Sequence, residues 1–250
     1  MEVHAHTHTA RKKWAHYFWE FLMLFLAVFC GFLAEYQLEH MIERQRENKF
    51  AASMLNDLQE DTVDINNDQR WWTAQINRID TILHELDQPD EKRNMLVLYR
   101  NVGYLRRFNS FEYHDRTVEQ LKNAGYFRLF KKKNVADSLM EYDALVRRTL
   151  LHIEEGSNNI YYTVNFSQHK FFDSRYFQTY SFSFDLDSLN KVRPEVFVIR
   201  AGYEKELFEY ANNLRFYKGN AILRLGIMRN LSKKGLALMN LLIEEYHLKK

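Results

Sequence analysis

From Phe21 to Ala34 the chain has no charged residue, no proline and a single glycine, and aromatic side chains frame the run: Trp14, Tyr17, Phe18 and Trp19 before it, Tyr36 after it. A helix crossing the hydrocarbon of a bilayer needs about 20 largely apolar residues. The pattern therefore predicts one transmembrane helix over 14–36, with its rings in the two headgroup layers. A core helix of a soluble domain would rarely be apolar around its whole circumference. Arg11, Lys12 and Lys13 abut the run on its amino side, whereas the first basic residue beyond it is Arg44. This asymmetry predicts a cytoplasmic amino terminus, with residues 37–250 outside. No small-x-small pattern closes the run, so it reads as an uncleaved signal anchor.

Beyond the span the period changes. Leu38 to Gln88 contains neither glycine nor proline, and Leu55, Leu58, Thr62, Ile65, Gln69, Trp72, Ile76, Ile79, Leu83 and Leu86 follow one another at threes and fours. Such a seam predicts a long coiled-coil-like helix over about 37–88, continuous with the span and ended by Pro89. Asn94 to Phe108 and Thr117 to Phe130 read as short amphipathic helices, the second weakened or broken at Gly125. A second long helix, about 134–172, carries Val135, Leu139, Tyr142, Val146, Ile153, Ile160, Val164 and Phe171 on one face, with Asn134 as its expected N-cap. Folded back along the first, it would make an antiparallel hairpin. The last helices are expected at about 203–228 and 232–247, split around Gly226 to Ser232. Tyr161 to Phe184 is dense in rings, which are expected to fill the end of the bundle rather than to face a partner. The expectation is an all-α protein: one N-terminal transmembrane helix followed by an antiparallel helical bundle.

Composition narrows the function classes. A net charge of +2 gives no reason to expect nucleic acid, and only 8 Gly and 2 Pro in 250 residues argue against a loop-rich or disordered chain. The single cysteine, Cys30, lies inside the span, which leaves no disulfide framework, zinc finger or thiol redox site outside it. No Gly-rich phosphate loop, nucleophile elbow or His-Glu-x-x-His motif is present, so neither an enzyme nor a cofactor is expected. His4, His6 and His8 alternate in the basic tail 1–13 and form a weak metal-site candidate, better read as a solvated, disordered tail. Asp57, Glu60, Asp61 and Asp64 share a helix and read as a solvated acidic face, with cation binding the alternative. Tyr113, His114 and Asp115 cluster without a recognisable partner. Glu20 is costly in hydrocarbon and is expected to pair with Lys12, Lys13 or His16, or to meet a partner helix. Ala27, Gly31 and Ala34 supply a small-residue face for that encounter.

The sequence Glu20-Phe21-Leu22 opening the span, the acidic helix after it, and Thr117-x-x-x-Leu121-x-x-x-Gly125 before a helix containing Tyr142 resemble an uncharacterised bacterial family of single-pass, signal-anchored envelope proteins, filed as a domain of unknown function. The resemblance covers the first 60 residues and about 115–145. It implies a bacterial inner-membrane protein with a periplasmic helical domain, and it carries no activity. The family's Asn- and Trp-rich exit from the membrane is replaced here by Glu35-Tyr36-Gln37-Leu38, so no residue role is transferred. The functional expectation is a structural or interaction protein whose partners are the bilayer and either further copies of itself or another envelope protein. The alternative is a sensor or ligand-binding bundle signalling through the span to another chain.

Overall fold

The computed structural model describes residues 14–107, 109–153, 158–176 and 197–249; His4, His6 and His8 lie outside them. The protein is all-α, and among the described residues the only extended pairing is an isolated antiparallel bridge between Phe172 and Ile199. The chain divides into two compact units, Met1–Phe50 and Ala51–Lys250.

Helix α1 runs Trp14–Leu86. In the first unit it carries an 18-residue window of mean hydropathy 2.0, none of it buried, and is thus long and apolar enough to cross a membrane. Phe21, Phe25 and Phe29 stack along one side at 6.2 and 5.8 Å. At 100° per residue, Glu20, Ala27, Gly31 and Ala34 fall together on the opposite side.

In the second unit, α1 ends where sequence and side-chain chemistry agree. Pro89 cannot continue the ladder, and the Arg93 guanidinium donates to the terminal carbonyls of Glu85, Leu86 and Gln88 at 3.0, 3.2 and 3.1 Å. A 3-10 turn, Asp90–Lys92, leads to α2, Met95–Leu105, which Asn94 caps by accepting the Val97 N–H at 3.1 Å. Helix α3, Arg116–Asn123, stops before Gly125, whose φ of +64° suits glycine, and a second 3-10 turn, Tyr126–Leu129, follows. Then come α4, Lys133–His152, α5, Asn158–Ser167, a third 3-10 turn, Gln168–Lys170, and α6, Glu204–Tyr246.

Three sequence expectations need correction. The split around Gly226 to Ser232 does not occur: α6 is one helix of 43 residues. Leu225, Met228, Leu231, Gly235, Leu238 and Leu242 hold their buried stripe straight through, and continuous packing outweighs the roughly 1 kcal/mol that a helical glycine costs. The helix expected over about 134–172 is α4 and α5, with 154–157 outside the described residues, and it ends at Ser167. Asn134 is not its cap. Lys132 occupies that position, and the Asn134 side chain donates to Glu245 Oε1 at 3.0 Å.

The third correction concerns pairing. Lys218 meets Asp80, Arg224 meets Asp68 and Met239 meets Thr62, so α6 runs antiparallel to α1. Lys234 meets Glu141 and Asn134 meets Glu245, so α6 is antiparallel to α4 as well. Within this unit α4 therefore runs parallel to α1, and the expected α1–α4 antiparallel hairpin is replaced by two pairings that share α6. The segment between α1 and α4, which contains α2 and α3, returns the chain to the Ala51 end before α4 begins. The main core is built at the other end from Trp72, Ile79, Tyr99, Val164, Phe171, Phe172, Phe197, Tyr210, Leu214 and Tyr217. Tyr99 pins it, donating to the Val198 carbonyl at 2.6 Å and accepting the Asp173 N–H at 2.9 Å. Of the ring-dense stretch, Phe171 and Phe172 fill this core as expected, whereas Tyr162 and Phe166 are exposed; Phe177 to Phe184 lie outside the described residues.

Candidate functional site

Four aspartates on α1, at positions 57, 61, 64 and 68, repeat the four-three-four spacing of the apolar seam and so share a face. Of the solvated acidic face expected for Asp57, Glu60, Asp61 and Asp64, only Glu60 is exposed: Asp57 and Asp61 are buried, as is Asp68, and Asp64 is partly so. Burying a carboxylate without partners would be prohibitive. The partners come from far along the chain. Asp57 Oδ2 accepts the Thr117 N–H at 3.0 Å and its Oδ1 takes Arg116 Nη2 at 2.9 Å, so a residue of α1 caps the amino end of α3. Asp61 Oδ1 accepts the His114 N–H and its Oδ2 the Tyr142 hydroxyl, both at 2.9 Å.

The His114 ring lies between carboxylates, Nε2 at 2.9 Å from Asp64 Oδ2 and Nδ1 at 3.1 Å from Glu60 Oε2. Ionised carboxylates only accept, so both contacts are hydrogen bonds only when the imidazole carries two protons. One layer further out, Asp143 accepts from Tyr113, Lys122 and Arg147 at 3.1, 2.7 and 3.0 Å, and Arg147 also reaches Asp115 and Glu119. The Tyr113-His114-Asp115 cluster thus acquires the partners that sequence could not supply. Thr117, Leu121 and Gly125 acquire physical roles: a capped N–H, a fully buried side chain and a left-handed turn.

The electrostatics follow from the geometry. Burial pushes the Asp61 carboxyl up to about 6, against the lowering effect of the His114 N–H and the Tyr142 hydroxyl. For His114, burial opposes the charge, but the Asp64 bond and the charges of Asp61, Glu60 and Asp64 outweigh it and hold the imidazole above its usual value. Burial raises the Tyr142 and Tyr113 phenols, with Asp61 and Asp143 respectively adding to the shift, so both remain neutral donors. The arrangement is a clasp that fastens 113–117 and α4 to α1, and its available chemistry is proton uptake. Among the described residues no group of three or more His, Cys, Asp and Glu is placed to hold a metal ion. A groove of about 270 Å³ between α4 and α6 touches this network only through Tyr142. Beneath Tyr142, a methyl on Gly235 would lie 3.3 Å from Cε2. Gly235→Val is therefore expected to lower stability by roughly 1–3 kcal/mol through overpacking, read as a fall in thermal midpoint.

Asp68 is a second centre, which the sequence reading missed. Arg224 of α6 donates to it in bidentate fashion, Nη2 to Oδ1 at 2.6 Å and Nε to Oδ2 at 3.0 Å, with its guanidinium 4.7 Å over the Trp72 ring. The signal was present as a charge imbalance: residues 210–243 contain six Lys and Arg and no Asp or Glu, facing the aspartate-rich α1.

The residues singled out in the apolar segment of α1 are all exposed. His16 Nε2 lies 3.4 Å from Glu20 Oε1, one of the pairings expected from sequence, and nothing lies within 4 Å of a Cβ built on Gly31. Ala27 and Ala34 are likewise on the surface of α1. No protein-family model, curated protein or solved structure matches the chain.

Proposed function

We propose that the protein is a single-pass structural or interaction protein of the bacterial inner membrane, anchored by residues 14–36, that holds residues 37–250 in the periplasm. The observation carrying this is the apolar window of α1, of mean hydropathy 2.0 and entirely uncovered by the rest of the chain. Leu24 and Val28, 70% and 74% exposed, would be untenable in water at this density of neighbours but suit lipid. The basic residues Arg11 to Lys13 support the orientation. Support for a non-enzymatic role comes from the acidic network, whose carboxylates are engaged by backbone and side-chain donors. The sensor reading is favoured by one feature: the titratable pair Asp61 and His114 acts on the same helix that contains the span.

The test is fractionation of cells expressing the full chain. It should stay in the membrane pellet after alkaline carbonate and be released by detergent. Cysteines introduced after residue 37 should react with a membrane-impermeant thiol reagent in intact spheroplasts. Recovery in the aqueous fraction would end the reading, and labelling only after lysis would reverse its orientation.

A further inference from the structure

The outward face of α6 has features that the fold does not use. Phe216, Ile222 and Leu223 are 65%, 52% and 51% exposed, and at 100° per residue they fall within one stripe centred on Gly219 and Gly226. Both glycines sit inside a regular helix, where neither has a positive φ and a Cβ would meet nothing within 4 Å. Gly235, by contrast, has Tyr142 against it. A mid-helix glycine weakens its helix relative to alanine. Neither backbone conformation nor packing among the described residues accounts for Gly219 and Gly226, whereas the close approach of another helix would.

The charges along this stripe select the kind of helix. Arg229 lies at one edge of it and Lys233 continues it two turns beyond Gly226, and among the described residues neither has an acidic partner, although Arg215, Lys218, Arg224 and Lys234 have theirs in Asp87, Asp80, Asp68 and Glu141. No acidic residue occurs from 210 to 243, so a second copy of α6 laid on this face would bring like charges together. We infer that the exposed face of α6 from Phe216 to Lys233 is a docking surface for a different protein, which presents an amphipathic helix with a small-residue or leucine stripe and acidic flanks. This rests on the reading of the bundle as an interaction domain, and it does not depend on the membrane assignment.

Two synthetic helical peptides with the same Leu/Ala stripe, one flanked by Glu and one by Lys, serve as probes against the full chain reconstituted in lipid nanodiscs. The Glu-flanked peptide is expected to bind at least about tenfold tighter, a difference of 1.4 kcal/mol. The double variant Arg229→Glu/Lys233→Glu should reverse that preference, and Gly226→Leu should weaken the Glu-flanked peptide by about tenfold. Gly219→Ala and Gly226→Ala should leave the thermal midpoint unchanged or raise it, which separates a docking role from a folding role. Equal binding of the two peptides, no binding of either, a preference untouched by the charge reversal, or a lowered midpoint in the alanine variants would each overturn the inference. So would a homodimer in sedimentation that Gly226→Leu abolishes, because it would assign the face to a second copy. Failure to reconstitute would count against the membrane reading instead, and the same titration in detergent-free buffer would then test the docking face.

Discussion

Asp68→Ala is expected to cost the bundle about 3–5 kcal/mol, the range for removing one partner of a buried ion pair and leaving the other charged. Asp68 is 0% exposed and Arg224 2%, so solvent cannot take over the lost contact. Arg224 would keep only the Trp72 ring, and its Nη1 already has no hydrogen-bond partner. At about 2–4 °C per kcal/mol for a domain of this size, the thermal midpoint should drop by roughly 10 °C. The double variant Asp68→Leu/Arg224→Met removes both charges and should recover most of the loss, because a buried pair often contributes little net over an apolar replacement. An Asp68→Ala midpoint within 2 °C of the parent would refute the pairing. A double variant as unstable as the single one would show that the pair holds the α1–α6 register.

The second large effect is a dependence on pH. The Asp61 carboxyl is raised in the fold from about 3.9 in an unfolded chain to about 6, so the folded state binds the proton more tightly. Its contribution is fully present below about pH 4 and is lost as pH rises through 6. The whole shift corresponds to about 3 kcal/mol, of which roughly half disappears between pH 5 and 8. His114 is also raised, so its contribution has the same sign and falls away above its ordinary value near 6.5. Melting the full chain in nanodiscs across this range should show a midpoint several degrees higher at pH 5 than at pH 8. Asp61→Asn can still accept the His114 N–H and should remove most of the slope, while His114→Gln should remove the remainder near neutrality. An unaltered slope in Asp61→Asn would show that proton uptake by Asp61 does not stabilise the fold.

The pH prediction could not have been made from sequence. Asp57, Glu60, Asp61 and Asp64 read as solvated because most carboxylates are, and helical periodicity identifies a face without saying what lies opposite it. Thr117, His114 and Tyr142 lie 53 to 81 positions away in the chain from the aspartates they contact. The same limit explains the α4 direction, since a hairpin between the two longest apolar stripes was the simplest pairing. Asn134 failed as a cap for a related reason: local preference placed it two residues from the true cap, while Glu245 of a distant helix engaged its side chain.

By itself the sequence determined the fold class, the apolar segment of α1, the end of α1 at Pro89 and the start of α2 at Asn94. These depend on backbone chemistry and on patterns repeated within a few turns, so neighbouring residues contain the needed information. The tertiary structure alone decided that α6 runs unbroken through Gly226, that α6 pairs with both α1 and α4, and that Asp57, Asp61 and Asp68 are buried. Each of those outcomes is a balance between a local cost and contacts made with residues far along the chain, and such contacts exist only once the helices are assembled.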